Sequence, residues 1–164
     1  FTLSVNYRTP AQIMEARSGV LAEINPTAQQ PRSIRRSAYD VELIDRADNT
    51  WLVVLQQTVH HMQNFHPGEK RTCGILVSPA VMGDLQAVMD TTILDRTVLD
   101  AAVSLVQDAK GLEFDYVIIA DPVGMVEASP QGLNDLFVAM TRATQALAIV
   151  HDGAVPYCLS DLVE

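Results

Sequence analysis

"CGILVSPAVMGDLQAVM", residues 73–89, sets two patterns side by side. Cys73 to Val77 is a nearly continuous apolar run, as in a strand whose sheet is covered on both faces. Ser78-Pro79 then supplies a hydroxyl cap and a ring that pre-sets the first helical turn. Beyond it Val81, Leu85, Val88 and Met89 recur on one helical face. A buried strand feeding an amphipathic helix is half of a parallel crossover unit.

The same grammar occurs twice more. "FTLSVNYR" (1–8) leads into Thr9-Pro10, with Gln12 completing a capping box and Ile13, Val20, Leu21 and Ile24 on one face. "DYVIIADPVGMV" (115–126) leads to Ser129-Pro130, then Leu133, Leu136, Phe137 and Met140. A further helix is predicted from Asn49 to about Phe65, with Trp51, Leu55, Val59 and Met62 inward. Strands are predicted near 2–6, 74–78, 101–106, 116–120 and 146–150, with a weaker pattern at 41–45. Residues 25–40 read as a connector. Strands alternating with helices define an α/β, three-layer domain on a mainly parallel sheet.

The 164 residues fit one domain, and a start at Phe1 within "FTLSVNYR" reads as the middle of a longer protein. With 48% hydrophobic and 19% charged residues the chain is an ordinary globular one. A net charge of −9 argues against a free-standing nucleic-acid binder. No apolar run approaches the roughly 20 residues that cross a bilayer, and glutamines interrupt "WLVVLQQTV" (51–59). Cys73 and Cys158 lie far apart without metal-ligand spacing, as reduced thiols of a cytoplasmic protein do.

His60, His61 and His66 lack the i, i+4 spacing that puts two ligands on one helix face, so no metal site is expected. Asp84, Asp90, Asp95 and Asp100 read as a solvated face, and Arg32, Arg35 and Arg36 as a basic loop. The chain contains no P-loop motif and no serine elbow.

Chemistry gathers elsewhere. In "AKGLEFDYVIIADP" (109–122), Lys110-Gly111 forms a turn and Glu113 precedes a strand beginning near Tyr116. This is either a plain loop with a salt bridge or a site at the carboxyl edge of the sheet, where open α/β folds bind ligands. "LSVNYRTP" sets Tyr7 and Arg8 after the first strand, and "LFVAMTRATQALAIVH" (136–151) sets Arg142 where a helix runs into a strand. A guanidinium suits phosphate because its planar fork donates in parallel, and a tyrosine ring offers a face for a base.

Taken together, "NYR", "KGLEFD" and "LFVAMTRA" resemble motifs IV, V and VI of the UvrD/Rep family of superfamily 1 helicases, in family order from Asn6 to Ala143. The resemblance implies a C-terminal RecA-like (2A) domain facing a P-loop domain across an ATP cleft. It assigns Tyr7 to adenine stacking, Glu113 to the ribose, and Arg8 and Arg142 to the γ-phosphate, with Lys110 and Gly111 in the same nucleotide-contacting turn. Where the family carries Thr and His before the motif V lysine, this chain has Leu105 and Gln107, leaving Gln107 as the candidate contact to nucleic acid. Barely two dozen residues separate Ser78 from Ser104, too few for a large 2B insertion, which resembles the HelD-like (helicase IV) branch.

The resemblance therefore implies an ATP-dependent helicase or translocase acting on single-stranded DNA. Its partner would be an N-terminal RecA-like domain, and ATP with Mg2+ would be the cofactor, the metal ligands lying outside this chain. The chain alone would not hydrolyse ATP. Alternatives are an ATP-driven factor that remodels RNA polymerase, a catalytically inactive docking module, and an unrelated flavodoxin-like small-molecule domain.

Overall fold

A computed structural model describes residues 5–6, 13, 16, 20, 24, 32–33, 41–65, 71–89, 102–109 and 111–153. The Thr9-Pro10 cap, Tyr7, Arg8, Arg35, Arg36, His66, Asp90, Asp95, Asp100, Lys110 and Cys158 lie outside these residues.

The strands are β1 (Val5–Asn6), β2 (Arg32–Ser33), β3 (Glu42–Asp45), β4 (Cys73–Val77), β5 (Ala102–Leu105), β6 (Phe114–Ala120) and β7 (Ala143–His151). The helices are α1 (Trp51–Gln63), α2 (Pro79–Met89), α3 (Pro122–Glu127) and α4 (Gly132–Met140), with a 3-10 turn at Val106–Ala109. Ile13, Ala16, Val20 and Ile24 are helical as well. Among the described residues the main sheet has five strands in the order β3-β7-β6-β4-β5, every neighbouring pair parallel.

Burial on both faces explains the unbroken apolar runs. Successive side chains on a strand point to opposite faces, so one β6 run feeds two cores. Tyr116, Ile118 and Ala120 pack with Ile75, Val77, Ala148 and Val150 against α1 and α2. Val117 and Ile119 pack with Leu76, Leu147 and Ile149 against α4 and against Ile13, Ala16 and Val20. Three layers result. Deleting a side chain such as fully buried Ile118 or Leu147 would cost about 2–5 kcal/mol, because neither core can collapse across the sheet.

Four sequence expectations need correction. The connector at 25–40 contains a strand: Arg32 and Ser33 pair in parallel with Val5 and Asn6. Arg32 therefore belongs to a ladder and not to a loop. The segment after β6 is not a continuous run up to Ser129, because Asp121 caps a short helix with Pro122 at its first position. As a consequence Ser129-Pro130 does not open α4. Ser129 accepts from the Gln131 amide (3.2 Å) in a turn, and α4 begins at Gly132. The physical reason is the closeness of α3, which ends at Glu127 with Ala128 as its C-cap, so that Ser129 follows directly and its carbonyl accepts from the Gly132 amide (3.0 Å). Finally, β7 starts at Ala143, three residues before the predicted strand, leaving only Thr141 and Arg142 between α4 and β7.

Candidate functional site

The Thr141-Arg142 link is built by backbone geometry at both ends. The Thr141 amide bonds the Phe137 and Val138 carbonyls (3.2 and 3.0 Å), and the Arg142 amide bonds Ala139 (3.1 Å), so the helix closes in a tight last turn. The Arg142 carbonyl accepts from the Phe114 amide (2.9 Å), which starts the β6–β7 ladder where Phe114 faces Ala143. Arg142 is thereby fixed at the mouth of two adjacent strands.

Directly opposite lies the turn at Gly111 and Leu112. Gly111 has φ +82°, a conformation that costs a residue with a Cβ about 1 kcal/mol or more. The Leu112 amide then bonds the Ala109 carbonyl (3.0 Å), and the Leu112 carbonyl accepts from Arg142 Nη1 (3.2 Å). Leu112 itself is 51% exposed, an apolar side chain held out beside a cation. The structure thus joins the segments carrying Gly111, Glu113 and Arg142.

The placement corrects one expectation. Gly111, Glu113 and Arg142 lie at the amino-terminal ends of β6 and β7 and not at a carboxyl edge. Parallel register with Phe114 opposite Ala143 obliges the residues preceding both strands to share one edge. The carboxyl edge carries a different set: Ser78, Asp121, Asp45 and His151. Gln107 is exposed on the 3-10 turn between β5 and β6. Tyr7, Arg8 and Lys110 lie outside the described residues, so their sequence assignments stand on the motifs alone.

The Arg142 guanidinium is half-buried and well anchored. Nε and Nη2 both donate to the Thr141 hydroxyl oxygen (3.2 and 2.9 Å), and Nη1 donates to Leu112. Of the five N–H groups on a guanidinium, these bonds use three. Among the described residues the remaining two, one on each terminal nitrogen, have no partner. Two such donors on one planar cation suit two oxygens of a phosphate.

His60 is exposed near the end of α1, and His61 Nε2 lies 3.2 Å from Glu42 Oε1. Among the described residues no group of three or more His, Cys, Asp or Glu could hold a metal ion. None of their helices is long and apolar enough to cross a membrane.

Two side chains that the motifs did not single out emerge from the geometry. Thr141 shapes the arginine, and its only sequence signal was a hydroxyl next to an arginine at a helix end. Asp121 links two helix starts at the far edge, and the signal that could have found it is the Asp-Pro pair at 121–122.

The architecture defines a three-layer α/β domain on a parallel sheet. Residues 100–150, which include "KGLEFD" and "LFVAMTRA", match the family model of the UvrD-like helicase C-terminal domain. The fold is similar to the crystal structure of the C-terminal domain of a possible DNA helicase from Lactobacillus plantarum WCFS1. The TM-score is 0.62 at 19% identity, over 94% of this chain and 92% of that one. At that identity the likeness speaks for the fold. A search among curated proteins finds no match.

Proposed function

We propose that this chain is the second RecA-like domain of a UvrD-like, ATP-driven DNA helicase or translocase, and that Arg142 is its arginine finger. The observation that carries the proposal is the Arg142 guanidinium, locked to Thr141 and Leu112 at the sheet edge with an N–H left over on each terminal nitrogen. The match over residues 100–150 supports it, since that stretch contains both the "KGLEFD" turn and the arginine. Tyr7 and Arg8 extend the reading as adenine platform and second phosphate ligand, and Glu113 as the ribose contact. Lys110 and Gly111 join the same reading as nucleotide-contacting residues.

The donor set fits a nucleoside triphosphate met from outside. ATP bound on a P-loop domain, with its magnesium ion, would supply the phosphoryl group to be transferred. Arg142 binds developing negative charge there, and its half-buried setting strengthens each hydrogen bond. Anchoring before nucleotide arrives means that little reorganisation is needed at the moment of reaction.

Within this class the short span between α2 and β5, residues 90–101, supports a HelD-like member without a large insertion. For such a member, remodelling of RNA polymerase is the second reading. Leu105 and Gln107, in place of the polar grip residues, favour it over tight handling of DNA.

The test joins the chain to its P-loop domain and measures steady-state ATP turnover beside nucleotide-binding titrations. Arg142→Ala should lower turnover about a hundredfold or more while nucleotide affinity changes much less. The 164-residue chain by itself should show negligible turnover, because the P-loop supplies the phosphate cradle. Wild-type turnover in Arg142→Ala overturns the proposal.

A further inference from the structure

We infer that Thr141 is the positioning residue for Arg142: its single hydroxyl oxygen sets the orientation of the guanidinium and decides which of its N–H groups meet an anion. The inference rests on the arginine-finger reading for what that anion is, and on geometry alone for the orientation.

The donor count closes without remainder. The Thr141 hydroxyl hydrogen goes to the Val138 carbonyl at 2.6 Å. Its lone pairs then accept from Arg142 Nε at 3.2 Å and Nη2 at 2.9 Å. A hydroxyl offers one donor and two acceptor sites, and all three are engaged. Because Thr141 sits at the C-cap of α4 with its own amide bonded to the last helical carbonyls, the oxygen is not free to wander. The helix end therefore acts as a rigid bracket for the arginine beside it.

Capture of Nε by Thr141 has a directional consequence. An arginine can meet a phosphate through Nε and one terminal nitrogen or through the two terminal nitrogens. Thr141 occupies the first edge, so the anion must be met by the terminal nitrogens. Leu112 draws one N–H of Nη1 to its carbonyl and limits rotation about the remaining bonds. Valine has the shape of threonine without the acceptor, and serine keeps the acceptor without the methyl group. The pair separates orientation from packing.

Two measurements test this. In the 164-residue chain, the Arg142 Nε–H resonance, identified by its loss in Arg142→Lys, should be resolved and protected from exchange. It should stay so in Thr141→Ser and lose protection in Thr141→Val. In the chain joined to its P-loop domain, Thr141→Val should lower kcat about ten- to a hundredfold with KM nearly unchanged, and Thr141→Ser should restore most of it. Thr141→Val in an Arg142→Ala background should cost nothing more, since there is no guanidinium left to orient. Thr141→Ala serves as the second variant if the valine form is poorly folded. A protected Nε–H in Thr141→Val overturns the inference. So does normal kcat in Thr141→Val beside lowered kcat in Arg142→Ala. Normal kcat in Arg142→Ala instead overturns the phosphate reading, and the resonance still decides whether Thr141 holds the side chain.

Discussion

The Ser78 hydroxyl donates to the Asp121 carboxylate across 2.7 Å, tying together the starts of α2 and α3. Ser78 Oγ also accepts from the Val81 amide (3.2 Å), and the other Asp121 oxygen accepts from the Gly124 amide (3.0 Å). Ser78 is fully buried, and among the described residues this carboxylate is what satisfies its proton. Asp121 holds φ +63°, which a β-branched residue would resist. Asp121→Ala removes a cap and strands a buried hydroxyl, and should cost about 2–3 kcal/mol in urea denaturation. Asp121→Asn tolerates the left-handed backbone and keeps one acceptor, so it should cost less.

Gly132 is where α4 crosses the end of α3. The nearest atoms to a Cβ placed there are the Val126 and Met125 carbonyl groups, backbone that cannot rotate aside. Gly132→Ala should destabilise by about 1–3 kcal/mol despite alanine's better helix propensity. Thermal melting of this variant beside Gly83→Ala, where a Cβ meets nothing within 4 Å, isolates the clash.

At Gly111 space is open and only the backbone objects, with φ +82°. Gly111→Ala should cost about 1 kcal/mol of stability. It should also disturb the Leu112 carbonyl that Arg142 Nη1 meets at 3.2 Å, so turnover of the chain joined to the proposed P-loop domain should fall more than stability implies. Gly111→Asn, which tolerates the left-handed region, should recover part of both.

Single-stranded DNA should bind the 164-residue chain weakly. A net charge of −9 opposes the counterion release that drives such binding. Fluorescence anisotropy at about 150 mM salt should give no submicromolar affinity, and a tight complex would mean that a local basic face outweighs the total.

Asp45 ends β3, and its Oδ1 accepts from the Ala47 amide (3.0 Å) and the Gly153 amide (3.2 Å). These backbone bonds, first of all that from Ala47, hold its pKa below the ordinary carboxylate value. A depressed folded-state pKa gives stability that is present above the unfolded carboxylate's titration and is lost as pH falls through the folded value. Asp45→Asn should therefore be less stable than the parent at neutral pH, the gap closing on acidification. Parallel denaturation curves at neutral and strongly acidic pH would show it.

The layers were legible because burial writes itself into composition. "CGILV" and "DYVIIA" had to be strands covered on both faces, and Trp51, Leu55, Val59 and Met62 all point inward from α1 as their spacing requires. What escaped was local competition. Ser129 has the chemistry of a cap, yet α3 ends so close that its oxygen serves a turn and Gly132 opens the helix. The edge of the sheet escaped as well. Which end of β6 and β7 carries Arg142 depends on register between Phe114 and Ala143, and no local pattern records the pairing of distant strands. Thr141 was visible only as a neighbour, since its role lies in the direction of one oxygen.

The strand order also governs how the domain can assemble. β3 precedes α1 in the chain, yet in the sheet it pairs with β7, Glu42 beside Ala148 and Asp45 beside His151. During synthesis β3 therefore waits for the rest of the sheet to be made before its partner emerges. Pairings so distant along the chain slow folding and leave strand edges uncovered meanwhile. A nascent chain stalled just before Ala143 would hold β6 with an open flank and β3 with no ladder at all. That is a species for chaperones to shield, and one in which the Phe114 amide has the Arg142 carbonyl to meet but no strand beyond it to extend the ladder.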